Sequence, residues 1–275
     1  MFFCLALKAF QKASFRKYVM PATSSTKSVA VQGTAGSQQL LKFMRGNAKL
    51  GKDVWTFSLP SGHTCPGACK CLAKVDRTTN QLIEGPQNEF RCFSATAEVA
   101  FPTVRAARRY NMDMLTKKTK VEDLMDMLVA ALPLRAEIMR LHVAGDFYSQ
   151  NYFDAWQLVA EMFPHCQFYA YTKSIPFWLN WVARYKKLPD NMILTASIGG
   201  RFDNLIQPWM QTAQVVDHPD DAEALGLEID KNDTHAQVEG GSFALLIHSV
   251  QRPGSDKAAA VKRLKAEGIE YAYSR

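Results

Sequence analysis

The stretch RLHVAGDFYSQNYFDAWQLVAEMFPHCQFYAYTK (140–173) decides the fold class. RLHVA (140–144) is a short apolar run closed by Gly145-Asp146, which predicts a strand. From 151 to 163, Tyr152, Phe153, Trp156, Val159, Ala160 and Phe163 recur at helical spacing, so a helix with one apolar face follows. QFYAYT (167–172) returns to a strand and ends on Lys173. A strand, a helix and a strand within so few residues form a parallel crossover unit.

The same alternation extends outward. VWTFSL (54–59) predicts a strand stopped by Pro60-Ser61-Gly62. MILTASI (192–198) ends in Gly199-Gly200, and 213–217 and 242–250 add strands. Helices are expected at 95–115, 121–132, 176–186 and 256–267, and a short last strand at EYAYS (270–274). The expectation is an α/β fold with a mostly parallel sheet, as a partial or closed (β/α) barrel of the TIM-barrel-like kind. In such sheets the functional groups sit at the carboxyl ends of the strands.

Of 275 residues, 47% are apolar and 21% charged, which suits a chain that buries a large core. The formal charge of +7 is unevenly placed. Nine Lys or Arg and no acid lie between Met1 and Lys52, and the remainder holds 24 basic and 26 acidic residues. Residues 1–38 read as a basic arm with a Ser/Thr/Gly-rich linker, and 39–275 as one α/β domain with an inserted cysteine loop at 60–94. The arm suits a polyanion such as DNA or another nucleic acid; the alternative is a solvated tail. No apolar run reaches the length of a membrane span, and the cysteine usage suits a reducing cytoplasm.

Cys65, Cys69 and Cys71 fall within seven residues, with Cys92 in Arg91-Cys92-Phe93. Thiolates at this density favour a soft metal, and Pro66 and Gly67 let the backbone wrap around one. Zinc commonly takes C-x2-C pairs, which are absent; C-x3-C-x-C is closer to an iron–sulfur loop, with zinc as the alternative metal. His63 is either a further ligand or a turn residue. Cys4 and Cys166 read as inert, and Trp178, Trp181 and the Met112, Met114, Met125 and Met127 group as core. Asp230, Asp233 and His235 read as a solvated polar loop.

At the strand ends, Asp146, Lys173 and Arg201 are candidate ligand-positioning residues: a Lys and an Arg suit a carboxylate or phosphate, an Asp an amine. For His142, and for Asp146 as a turn cap, the alternative is satisfaction of local backbone groups. No catalytic residue is assigned. Walker, Gly-x-Gly-x-x-Gly, Gly-x-Ser-x-Gly and His-Glu-x-x-His motifs are all missing, which disfavours the common nucleotide-binding and hydrolase classes.

NAKLGK (47–52), TFSLPSGHTCPGA (56–68), FRCFSAT (90–96), RLHVAGDFYSQNYFDAW (140–156), LTASIGGRFD (194–203) and GSFALLIH (241–248) resemble the actinobacteriophage gene product 88 family. The resemblance covers about residues 40–265 and implies a phage protein whose cysteine pattern maps to Cys65, Cys71 and Cys92, with Cys69 at a variable position. A second, fold-level resemblance is to radical S-adenosylmethionine enzymes, which carry a cysteine loop after the first barrel strand and Gly-Gly-Glu after the next. Here the loop follows 54–59, and Ala144-Gly145-Asp146 ends 140–144, but the usual C-x3-C-x2-C spacing is replaced. That resemblance implies a 4Fe-4S cluster with one open iron for S-adenosylmethionine, acting on an unknown substrate. With Cys69 as a fourth ligand the site closes and becomes structural, and the protein a non-enzymatic nucleic-acid binder.

Overall fold

A computed structural model of the protein describes residues 40–46 and 50–269. The basic arm, the linker and the strand expected at 270–274 lie outside the described residues.

The described chain runs β1 (Met44–Arg45), β2 (Val54–Phe57), β3 (Ala73–Val75), β4 (Leu82–Glu84), α1 (Phe93–Ala100), α2 (Pro102–Leu115) and α3 (Val121–Ala131). There follow β5 (Ile138–Leu141), α4 (Gln150–Met162), β6 (Gln167–Thr172), α5 (Ile175–Tyr185), β7 (Met192–Ser197) and β8 (Thr212–Val216). It closes with α6 (Pro219–Ala224), β9 (Glu228–Ile229), β10 (Phe243–Leu246) and α7 (Asp256–Ala266).

The main sheet has eight strands in the order β1-β2-β5-β6-β7-β8-β10-β9. Only the β1–β2 pair is antiparallel; every other neighbouring pair is parallel. The α/β, mostly parallel expectation therefore holds. β3 and β4 form a separate antiparallel hairpin inside the cysteine loop.

The two faces of the sheet follow from side-chain alternation. On β6, Phe168 and Ala170 join the large core with Trp156, Phe153 and Leu128, while Tyr169 faces a second cluster with Ile193 and Phe243. Phe153 is fully buried, which contributes about 1.5–3 kcal/mol relative to an exposed side chain. Ser149 starts α4 by accepting the Tyr152 N–H at 3.3 Å, a cap worth about 1 kcal/mol. Trp178, Trp181 and Met125 are buried as expected, and Met112, Met114 and Met127 pack against the same core.

Three expectations change. The helix expected over 95–115 is two helices, because Pro102 lacks an N–H and forces Phe101 into extended backbone (φ −121°, ψ 94°). The strand expected over 140–144 leaves regular geometry at His142, whose φ is +59°. The strand expected over 242–250 stops at Leu246. No helix among the described residues is long and apolar enough to cross a membrane.

Candidate functional site

The carboxyl ends of β2, β5, β6, β7 and β10 all lie along one edge of the sheet, because those strands are mutually parallel. A cavity of about 200 Å³ opens there, lined among others by Cys65, Cys71, Cys92, Asp146 and Lys173.

The cysteine loop is sewn onto the strand ends through its backbone. Lys70 N–H donates to Gly199 O (3.1 Å) and Arg201 N–H to Gly67 O (2.8 Å), with a bridge between Ala68 and Gly200. Ser61 N–H donates to the buried Glu98 carboxylate at 2.8 Å, and Arg108 donates to the same oxygen at 2.9 Å. Thus α1 and α2 fix where the loop begins. Cys92 occupies the N-cap position of α1 without a side-chain capping bond, at a helix end that favours negative charge.

Cys65, Cys71 and Cys92 share one electrostatic environment. Burial pushes the Cys65 thiol well above its ordinary range, with Asp146 and then Cys92 adding to the shift. Burial pushes Cys71 up to about 11, against the pull of the Lys173 charge. Gly62 N–H donates to Cys65 Sγ at 3.3 Å. Cys69 stands apart: its thiol donates to Gln87 Oε1 at 2.9 Å on the surface, and it does not line the cavity. His63 holds the Val75 carbonyl at 2.9 Å, so it is the turn residue rather than a cavity group. Among the described residues, no group of three or more His, Cys, Asp or Glu side chains is placed to hold a metal ion.

Asp146 is buried and fully engaged. Its Oδ1 accepts from Thr172 Oγ1 and Phe147 N–H, both at 2.7 Å, and Oδ2 accepts from Lys173 N–H at 2.8 Å. Burial nonetheless raises its carboxyl to about 6. Lys173 Nζ donates to Ser197 O (2.7 Å), Ser197 Oγ (2.9 Å) and Ile198 O (2.8 Å), which uses all three of its protons. Lys173 is thus a fixed positive charge beside Cys71 rather than a free hand for a ligand. Arg201 does not line the cavity; its Nε donates to Ala68 O at 3.1 Å and braces the cysteine loop.

The sequence reading missed the other side of the cavity. Asp230 and Asp233, expected in a solvated loop, are 4% and 1% exposed. Asp233 forms a buried ion pair with Arg140 of β5, and Arg140 lies over the Tyr171 ring at 5.2 Å. The one available signal was Arg140 itself, a charge in an apolar strand that demands a buried counter-charge. His142, also buried, shares a 3.0 Å hydrogen bond through Nε2 with Tyr152 Oη, and desolvation lowers its pKa to about 3. Cys166 is buried in the large core.

No curated protein and no solved structure matches the chain significantly. A family model described as Gene product 88 matches residues 39–264, which include the cysteine loop and every strand of the main sheet. The chain belongs to the Gene product 88 family.

Proposed function

We propose that Cys65, Cys71 and Cys92 hold a 4Fe-4S cluster with one iron open to the cavity, and that the protein is an enzyme of the radical S-adenosylmethionine type acting on a small molecule. The observation that carries this reading is the sorting of the four loop cysteines: three line the cavity and Cys69 turns to the surface. Three ligands leave the fourth iron free for a second molecule.

The donor set suits such a group. Cys65 and Cys71, raised first by desolvation and further by Cys92 and Asp146, would carry an excess of negative charge as thiolates, which a cationic iron–sulfur core would neutralise. The Gly62 N–H on Cys65 Sγ is the kind of contact that tunes a cluster's potential. Once reduced by an external one-electron donor, such a cluster would supply an electron to a bound ligand. The chain's own part is to set the charge beside Cys71 with Lys173, to hold the loop with Arg201, and to keep Asp146 rigid at the turn after β5. Parallel strands whose order largely follows the chain support a partial barrel around the cavity.

Protein produced with added iron and purified without oxygen should carry about four irons and four sulfides per chain. S-adenosylmethionine should alter the electron paramagnetic resonance spectrum of the reduced form. Stoichiometric zinc with no iron would sink the proposal, and a cluster spectrum indifferent to S-adenosylmethionine would leave only the closed, structural site.

A further inference from the structure

Buried polar atoms in folded proteins nearly always have hydrogen-bond partners. Among the described residues, the atoms that break this rule include Ser61 Oγ, His142 Nδ1, Tyr171 Oη and Asp230 Oδ2, on side chains lining the strand-end cavity. Asp230 is the telling member, since leaving a buried carboxylate oxygen without a donor is costly. Its other oxygen accepts the Asn232 N–H at 3.1 Å and lies 3.7 Å from His235 Nδ1.

The charges around Asp230 do not balance. Arg140 is paired with Asp233, and Lys231 is exposed, so its charge is screened. His235 lies partly in solvent and is shared with Glu228 at 3.0 Å. Two buried carboxylates therefore face one buried guanidinium. The same cavity is lined by Tyr171, Val215 and Leu245 of the sheet, an aromatic and aliphatic surface.

We infer that Asp230, with Tyr171 and the neighbouring apolar wall, is a binding site for the protonated amine of a small, partly apolar ligand. Asp230 Oδ2 has no accessible surface as the side chain stands, so the carboxylate turns toward the cavity to accept from the ammonium and complete the charge balance, with Tyr171 beside the adjoining carbons. His142 and Ser61 are left as neutral partners for polar groups farther along the same molecule. This inference rests on the cavity alone and holds whether or not a cluster occupies the cysteine site.

The test compares three probes sharing one ring, benzylamine, benzyl alcohol and benzoate, on the full chain at pH 7.5 by saturation-transfer NMR. Iron and sulfide are assayed on the same samples, so an empty cysteine site is recognised separately. Wild-type protein should bind benzylamine at least tenfold more tightly than either other probe, and Asp230→Asn should erase that preference. Equal or tighter binding of the alcohol or the acid by wild type overturns the inference, as does an unchanged preference in Asp230→Asn. Thermal melting supplies the second readout. A carboxylate kept for a ligand is a burden on the free protein, so Asp230→Asn should melt no lower than wild type. A lowered melting temperature, or failure to fold, assigns Asp230 to structure and overturns the inference.

Discussion

A β-carbon added to Gly67 would stand 2.1 Å from the carbonyl oxygen of Lys173. The cysteine loop and the end of β6 are therefore in backbone contact at a point where only glycine fits. Gly67→Ala must lift the loop, and the expected cost is about 1–3 kcal/mol of stability together with loss of at least half the bound iron. Gly240→Ala, which meets nothing within 4 Å, is the control and should change neither. Iron content and urea melts of the two variants decide the matter; full iron in Gly67→Ala would show that the contact does not position the cysteines.

The four loop cysteines should behave unequally. Cys65→Ser, Cys71→Ser and Cys92→Ser are expected to lose the cluster, because each removes a thiolate facing the cavity. Cys69→Ser should retain it, since that thiol is engaged with Gln87 at the surface. Iron and sulfide analysis of anaerobic preparations checks this, and an iron-free Cys69→Ser protein would return Cys69 to the ligand set.

His142 gives a pH dependence of known sign. Desolvation lowers its folded pKa from 6.5 to about 3, so the unfolded chain binds the extra proton between those values. Stability from the neutral ring is present above pH 6.5 and is lost as pH falls toward 3. One pKa unit corresponds to about 1.4 kcal/mol, so wild type should lose about 2 kcal/mol between pH 7 and pH 5 relative to His142→Gln. Urea denaturation of both proteins at the two pH values measures the difference. Parallel curves would mean that the ring gains a compensating partner when charged.

Glu98 joins the helices to the start of the cysteine loop. Glu98→Ala strips the buried Arg108 of its counter-charge and Ser61 N–H of its acceptor, a loss of about 3–5 kcal/mol by analogy with other broken buried pairs. The double variant Glu98→Leu with Arg108→Met should recover much of that stability, because no buried charge remains. It should still load less iron than wild type, since Ser61 is released in both. Calorimetry separates the first effect and metal analysis the second; equal iron in the double variant would make the link between Glu98 and the loop purely structural.

The parallel core was legible where the pattern was local. In residues 140–173 the helical spacing of Tyr152, Trp156 and Val159 lies between two β-rich runs, and the structure has α4 between β5 and β6. The helix break at Phe101 was also readable, because Pro102 lacks an N–H and disfavours helical backbone at the residue before it. The strand ends were harder. His142 adopts a φ of +59°, a conformation uncommon outside glycine, and its ring packs against Phe147 and Tyr152.

By itself the sequence determined the crossover units, the apolar faces of the helices, and the crowding of thiols in the loop, because each depends on spacing within one or two turns of chain. Only the tertiary structure decided which cysteine turns away, since Gln87 reaches Cys69 through the β3–β4 hairpin, whose position no local pattern encodes. It likewise decided that Lys173 spends its protons on Ser197 and Ile198, and that Asp230 and Asp233 are buried. Asp233 is neutralised by Arg140 from β5, and a charge pair between distant segments exists only once the sheet has brought them together. A carboxylate in a polar loop looks solvated until its partner arrives, and that partner is a property of the fold.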